Sequence, residues 1–267
     1  MTGAERHDAW QAGDSYDVYM GRWSRQVAPR FLEWLKPQSG LEWLEIGCGT
    51  GALTAAILEF CDPESVVAVD PSEGFIRKAR VNVPDPRVEF RVEDAQALSL
   101  PSASRDVAAS ALVLNFIPDK VKAIREMKRV VRPGGMVGFY VWDYPGGGVE
   151  FMRAFWTAAA ALDPDAEDLG ENSRFPFCTP DGLIGLAREG GLEAAECVPI
   201  EVPTVFKDFE DFWRPFTLGA GPAPGYCGSL EPDARERLRA KLERTMARDG
   251  EGSIRMKARA WAIKAFA

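Results

Sequence analysis

Over residues 41–139, short β-rich apolar runs alternate with stretches whose apolar residues recur at helical spacing. Residues 41–46, 65–69, 87–92, 106–114 and 135–142 predict five strands, each bounded by Gly, Pro or Asp. Residues 54–60, 72–81 and 119–131 predict helices, with Ser72 and Asp119 placed as N-terminal caps. Strands that are apolar almost throughout, separated by helices, predict a mostly parallel sheet buried on both faces, the doubly wound α/β class.

Beyond Trp142 the pattern loosens. Residues 143–148 read as a Pro/Gly turn, 149–162 as a helix, and 163–179 as polar and irregular. A helix over 180–189 stops at Gly190-Gly191; residues 192–202 and 254–266 then predict two more strands, able to pair antiparallel at the sheet edge and complete seven. Substrate-side insertions are expected at about 144–179 and 203–252, the second carrying a charged helix over 233–248. At the N-terminus, Tyr16, Tyr19, Met20 and Trp23 fall on one helical face, followed by Val27, Phe31, Trp34 and Leu35 on another. Residues 1–36 are therefore expected to form a helical lid, and 37–267 the main domain.

Composition narrows the chemistry. The chain has 267 residues, 46% of them hydrophobic, enough for a sizeable core. Glu5, Arg6, His7 and Asp8 break the N-terminal stretch expected of a signal peptide, and no later run is long and apolar enough for a membrane span, so a cytoplasmic location is expected. The five cysteines lack C-x-x-C spacing and His7 is the only histidine, which disfavours a disulfide framework, a metal site and His-dependent nucleophilic catalysis. A net charge of -8 opposes nucleic-acid binding, and the basic run over 120–132 reads as the solvated face of a surface helix. A small-molecule substrate and a monomeric or homodimeric state are expected.

The sharpest signal is Leu44-Glu45-Ile46-Gly47-Cys48-Gly49-Thr50-Gly51, an apolar strand entering alternate glycines and then a helix. Missing side chains let a ligand approach the backbone, and the helix start presents free N–H groups. Asp70 closes the second strand, where its carboxylate suits the hydroxyls of a ribose. Pro71 and Phe75 just beyond it suit an apolar wall for a base. A dinucleotide fingerprint, G-x-G-x-x-G, fails because its sixth position from Gly47 is Ala52.

Glu45 to Gly51, followed by Val67-Ala68-Val69-Asp70 and then Glu93-Asp94-Ala95, resembles the nucleotide-site motifs of class I S-adenosylmethionine (SAM) dependent methyltransferases. Arg132-Pro133-Gly134-Gly135 before the fifth strand is similar to a turn of the methyltransferase type 11 group, which includes relatives of ubiquinone and menaquinone methyltransferases. The resemblance spans about residues 43–142 and implies the Rossmann-like methyltransferase fold. It further implies that Gly47, Gly49 and Gly51 bound the methionine moiety of SAM, that Glu45 orients the loop or the cofactor amine, and that Asp70 holds the ribose. Asp94 would accept the adenine amino group while the Ala95 backbone meets the ring. Asn115, after the fourth strand, would lie beside the transferable methyl, and Tyr19 and Arg22 would cover the cofactor. S-adenosylhomocysteine would be the product, with no metal involved.

Methyl transfer from a sulfonium gains most from alignment and water exclusion, so a base is optional. Asn115 and Asp143 are the candidate catalytic residues, although Asp143 before Pro145 equally fits a turn-initiating role. Aromatic residues of the insertions, among them Phe151, Trp156, Phe175 and Trp213, suit either an apolar or aromatic acceptor or simple burial of the insertions. A non-catalytic SAM-binding scaffold and an NAD-dependent oxidoreductase are the alternatives.

Overall fold

The computed structural model describes residues 17–219 and 221–267, so Tyr16 lies outside the described residues. The chain forms two compact units, one of residues 24–142, 177–200 and 260–267, the other of residues 17–23, 143–176 and 201–259. The boundary in the N-terminal segment falls between Trp23 and Ser24. A π-helical turn over Asp17–Gly21 leads into α1, Arg22–Leu35.

In the first unit α1 is followed by β1 (Glu42–Ile46), α2 (Ala52–Phe60), β2 (Ser65–Asp70), α3 (Glu73–Asn82), β3 (Val88–Val92), β4 (Arg105–Ala111), α4 (Lys120–Val130) and β5 (Val131–Trp142). Later come α5 (Glu150–Ala160), α6 (Glu171–Arg174), α7 (Pro180–Glu189), β6 (Glu196–Phe206), α8 (Phe209–Trp213), α9 (Pro222–Ser229), α10 (Pro232–Thr245) and β7 (Ile254–Phe266). The seven strands order as β3-β2-β1-β4-β5-β7-β6. β1 pairs parallel with β2 and β4, β2 with β3 and β4 with β5, while β7 runs antiparallel to β5. This is the expected doubly wound sheet with an antiparallel strand toward one edge.

The chain reverses its direction of growth across the sheet at β1, whose neighbours are β2 and β4. Such a switch point opens a crevice at the carboxyl ends of the strands. At the opposite ends, Arg132 bonds both Glu42 and Asp106, tying β1, β4 and β5 together away from that crevice. Helix caps follow the expected chemistry, since the Ser72 hydroxyl accepts the Phe75 N–H and the Asp119 carboxylate accepts the Lys122 N–H.

Several boundaries differ from expectation for local reasons. β4 stops at Ala111 because Leu112 takes a left-handed backbone, φ 58°, and a 3-10 turn over Leu114–Phe116 follows. β6 begins later than predicted because Leu192 is still tied to α7, its N–H donating to the Ala187 carbonyl after Gly191 turns at φ 89°. The strand then runs on to Phe206, into the segment expected as insertion. The irregular stretch after α5 holds a 3-10 turn over Pro164–Leu169 as well as α6.

Within the first unit α1 lies over β5 where Gly138 leaves room, a Cβ there meeting Leu35 and Phe31 at 2.9–3.2 Å. Phe31 stacks on Tyr140 with ring centroids 4.8 Å apart and is wholly buried. Phe31→Ala should therefore leave a cavity and lower stability by about 3–5 kcal/mol, read as a drop in the urea midpoint. A loss below about 1 kcal/mol would place α1 outside the cooperative core.

Candidate active site

At the end of β1 the chain bends sharply: Gly47, Gly49 and Gly51 take φ values of 69°, 53° and 90°. L-residues seldom reach these angles, so the alternating glycines are a backbone requirement. Gly47 is further constrained because an added Cβ would collide with Val113, just beyond β4. At Gly49 the same atom would meet nothing within 4 Å, so the space above the loop is open to a ligand. Gly51 starts α2 with no side-chain cap, leaving the helix start able to receive an anionic group. The loop is anchored from two sides, with Gly47 and Cys48 N–H donating to the Val69 carbonyl and the Asn82 amide donating to the Thr50 carbonyl at 2.9 Å.

Two carboxylates sit beneath it. Asp70, 5% exposed, accepts the Gly49 N–H at 3.1 Å and the Ser72 N–H at 2.9 Å, joining the ends of β1 and β2. Burial raises its pKa, and those two bonds oppose the rise. Glu45, 1% exposed, receives the Thr54 hydroxyl at 2.6 Å on one oxygen, while the other has no hydrogen-bond partner. Burial pushes its pKa up to about 8, the Thr54 bond lowers it, and the nearby Asp70 charge adds to the rise. Cys48 is likewise buried and its thiol pushed well up, chiefly by desolvation, which leaves it unreactive.

Asp94 is exposed after β3; its carboxylate receives the Gln96 N–H and side-chain amide, bonds that hold its pKa down. Gln96 also accepts the Asp119 N–H, linking this loop to the start of α4. Ala95 is buried, Pro71 exposed and Phe75 half-buried at the rim. Beyond β4, Asn115 is 3% exposed and neither its amide oxygen nor nitrogen has a hydrogen-bond partner. A buried amide unpaired at both ends costs free energy and calls for a ligand or water. The first unit thus gathers the glycine loop, Glu45, Asp70, Asp94 and Asn115 at the carboxyl ends of β1 to β4. Sequence reading missed Thr54, Asn82 and Gln96; only Thr54, in the first turn after the glycine loop, carried a positional hint.

Tyr19, Arg22 and Asp143 belong to the other unit. Tyr19 is buried against Phe151 and Phe216, and no hydrogen-bond partner for its hydroxyl is found. Arg22 pairs with Asp211 at 3.0 Å and stacks on Trp23 and Phe206, so its guanidinium is engaged inside its own unit. Asp143 is almost fully buried, accepts the Gly146 N–H at 2.9 Å and pairs with Arg259 at 2.6 Å. Those partners occupy both oxygens and favour the turn-organising reading of Asp143 over that of a free base.

Fold and site together define a Rossmann-like α/β domain with a nucleotide-binding rim. Residues 44–139 match the family model described as a methyltransferase domain, and the chain carries a domain of that family. It is 32% identical over 198 residues to an uncharacterized 37.1 kDa transposon protein of Streptomyces fradiae, covering 69% of this chain and 52% of that protein. Nocamycin O-methyltransferase of Saccharothrix syringae is 28% identical, with 46% of this chain and 45% of that enzyme covered. The chain thus spans about half the length of these curated relatives. Among solved structures, Haemonchus contortus phosphoethanolamine N-methyltransferase 2 in complex with S-adenosyl-L-methionine superposes with a TM-score of 0.61 at 15% identity, covering 100% of this chain and 60% of that one. Among the described residues no helix is long and apolar enough to cross a membrane.

The raised Glu45 pKa has a consequence for stability. The folded protein holds a proton there that the unfolded chain releases near pH 4.5, so this contribution is full below about 4.5 and is lost as pH rises through about 8. Glu45→Gln removes the titration. Relative to wild type, the variant should gain up to about 1.4 kcal/mol per pH unit across that window, measured by urea unfolding of the ligand-free protein. A constant difference between the two proteins from pH 5 to pH 8 would show that Glu45 keeps an ordinary pKa.

Proposed function

We propose that the protein is a SAM-dependent methyltransferase acting on a small apolar or aromatic molecule. The observation that carries this reading is the juxtaposition of an open glycine loop with Glu45, Asp70 and the doubly unpaired Asn115 amide at the switch point of the sheet. These groups fit the cofactor: Gly49 gives backbone access, Asp70 suits the ribose hydroxyls, and the free oxygen of Glu45 suits an amino group. Gly47 and Gly51 complete the loop around the methionine moiety, and the Ala95 backbone with Asp94 receives the adenine beside Pro71 and Phe75. Tyr19 and Arg22 remain proposed cofactor contacts from the second unit.

When bound, the cofactor supplies a methyl group on a sulfonium, and S-adenosylhomocysteine is left after transfer. The chain's own part is to align donor and acceptor and exclude water, a contribution that requires no dedicated base. Asn115 can fix a polar acceptor group by hydrogen bonding from its buried amide. Asp143 contributes by holding the 143–148 turn through Gly146 and Arg259.

Calorimetric titration with SAM, S-adenosylhomocysteine and NADH tests the cofactor assignment. The first two should bind and NADH should not. Asp70→Ala should weaken S-adenosylhomocysteine by about 1.5–3 kcal/mol, the range for hydrogen bonds to a charged group, with the fold checked by circular dichroism. Binding of NADH alone would replace this reading with an oxidoreductase, and unchanged affinity in a folded Asp70→Ala protein would remove Asp70 from the site.

A further inference from the structure

The second unit holds a cavity of about 490 Å³ whose lining includes Tyr144, Met152, Trp156, Arg153, Glu167 and Glu171. That volume is in the range of small-molecule sites. Its exposed charges, Arg153 and Glu167, face solvent, whereas Glu171 is only 2% exposed. The Glu171 carboxylate is oriented by the Trp156 indole N–H, which donates to it. Trp156 is fixed in turn by Phe155 and Tyr226, at centroid distances of 5.3 and 5.5 Å. Tyr144 lies on the turn that Asp143 and Arg259 pin, its ring 5.5 Å from Phe175. Tyr19 reports the same local field: after burial, Glu171 and then Tyr144 raise the pKa of its buried hydroxyl.

We propose that this cavity binds a small organic cation, a primary ammonium on an aromatic or alkyl body, with the ammonium at Glu171 and the body against Trp156, Tyr144 and Met152. A carboxylate held in a low-dielectric pocket attracts a cation strongly and repels an anion. Aromatic faces beside it add to cation binding. The indole bond occupies one carboxylate oxygen and sets the plane of the group, giving the site direction as well as charge. That the bound amine is the methyl acceptor rests on the methyltransferase reading; that the cavity takes an amine does not.

The test is calorimetry on the full chain with three probes sharing one body: phenethylamine, 2-phenylethanol and 3-phenylpropionate. The amine should bind about tenfold or more tighter than the alcohol, and the acid weakest. Glu171→Gln should weaken the amine by about tenfold while leaving the alcohol and S-adenosylhomocysteine unchanged. If that variant fails to fold, Asn172→Trp, a substitution at an exposed lining position, should block the amine in a protein that still binds S-adenosylhomocysteine. Preference for the acid would assign the cavity to Arg153 and overturn the proposal, as would equal binding of amine and alcohol or no amine binding. Loss of S-adenosylhomocysteine in folded Glu171→Gln would assign Glu171 to the cofactor's own amino group and overturn it too. Amine binding without S-adenosylhomocysteine binding would leave the cavity assignment standing and remove the methyltransferase reading.

Discussion

Asp70 carries one bond on which the rest of the site depends, from the Gly49 N–H to its carboxylate at 3.1 Å. Its second oxygen takes the Ser72 N–H, and Ser72 caps α3. One buried side chain therefore fixes the tip of the glycine loop, the end of β2 and the approach to the next helix. The cost of burying that charge is offset by two backbone donors that would otherwise lack partners. Each carboxylate oxygen can accept more than one hydrogen bond, so this structural duty leaves capacity for a ligand hydroxyl. Structure and proposed binding thus draw on the same group.

Much of this unit was legible because its constraints are local. Period, propensity and glycine punctuation act over a few residues, and they located β1 to β5 and their helices to within a few positions. Ser72 and Asp119 behave as caps because an N-cap is a three-residue event. The same locality put Glu45, Gly47, Gly49, Gly51, Asp70, Asp94 and Asn115 at strand ends, since the sheet decides where strand ends go. Leu112 shows the limit. Nothing in its β-rich surroundings signals a left-handed backbone, which ends β4 three residues before the predicted stop.

What stayed hidden depends on partners far apart in the chain. Asp143 looked like either a base or a turn former until Arg259, 116 positions away, closed on it. Arg22 looked like a cofactor ligand until Asp211 and the faces of Trp23 and Phe206 surrounded its guanidinium. Asn82 and Gln96 brace the rim through hydrogen bonds to the Thr50 carbonyl and the Asp119 N–H. No periodicity encodes such bonds, because an Asn or Gln on an exposed helix or loop face reads as solvation. The aromatic residues of the insertions were noted, yet their arrangement was not: Phe155 stacks on Phe216 at 4.4 Å across a long loop of sequence.

The buried carboxylates of the two units are distinguished by their partners. Asp143 faces a guanidinium and Asp70 two backbone donors, so each is compensated within its own unit. Glu45 has only the Thr54 hydroxyl, which is too little to offset burial, and it holds its proton up to about pH 8. In the proposed reading an ammonium arriving at its free oxygen would find a neutral acid at pH 7. The full ion pair then forms only after proton loss, at about 1.4 kcal/mol for each unit by which the pKa exceeds the pH. Part of the attraction between Glu45 and a cation is therefore spent on ionising it. Affinity must come mainly from the ribose, the base and the loop backbone, which fits a site whose conformational cost was met on folding by three left-handed glycines.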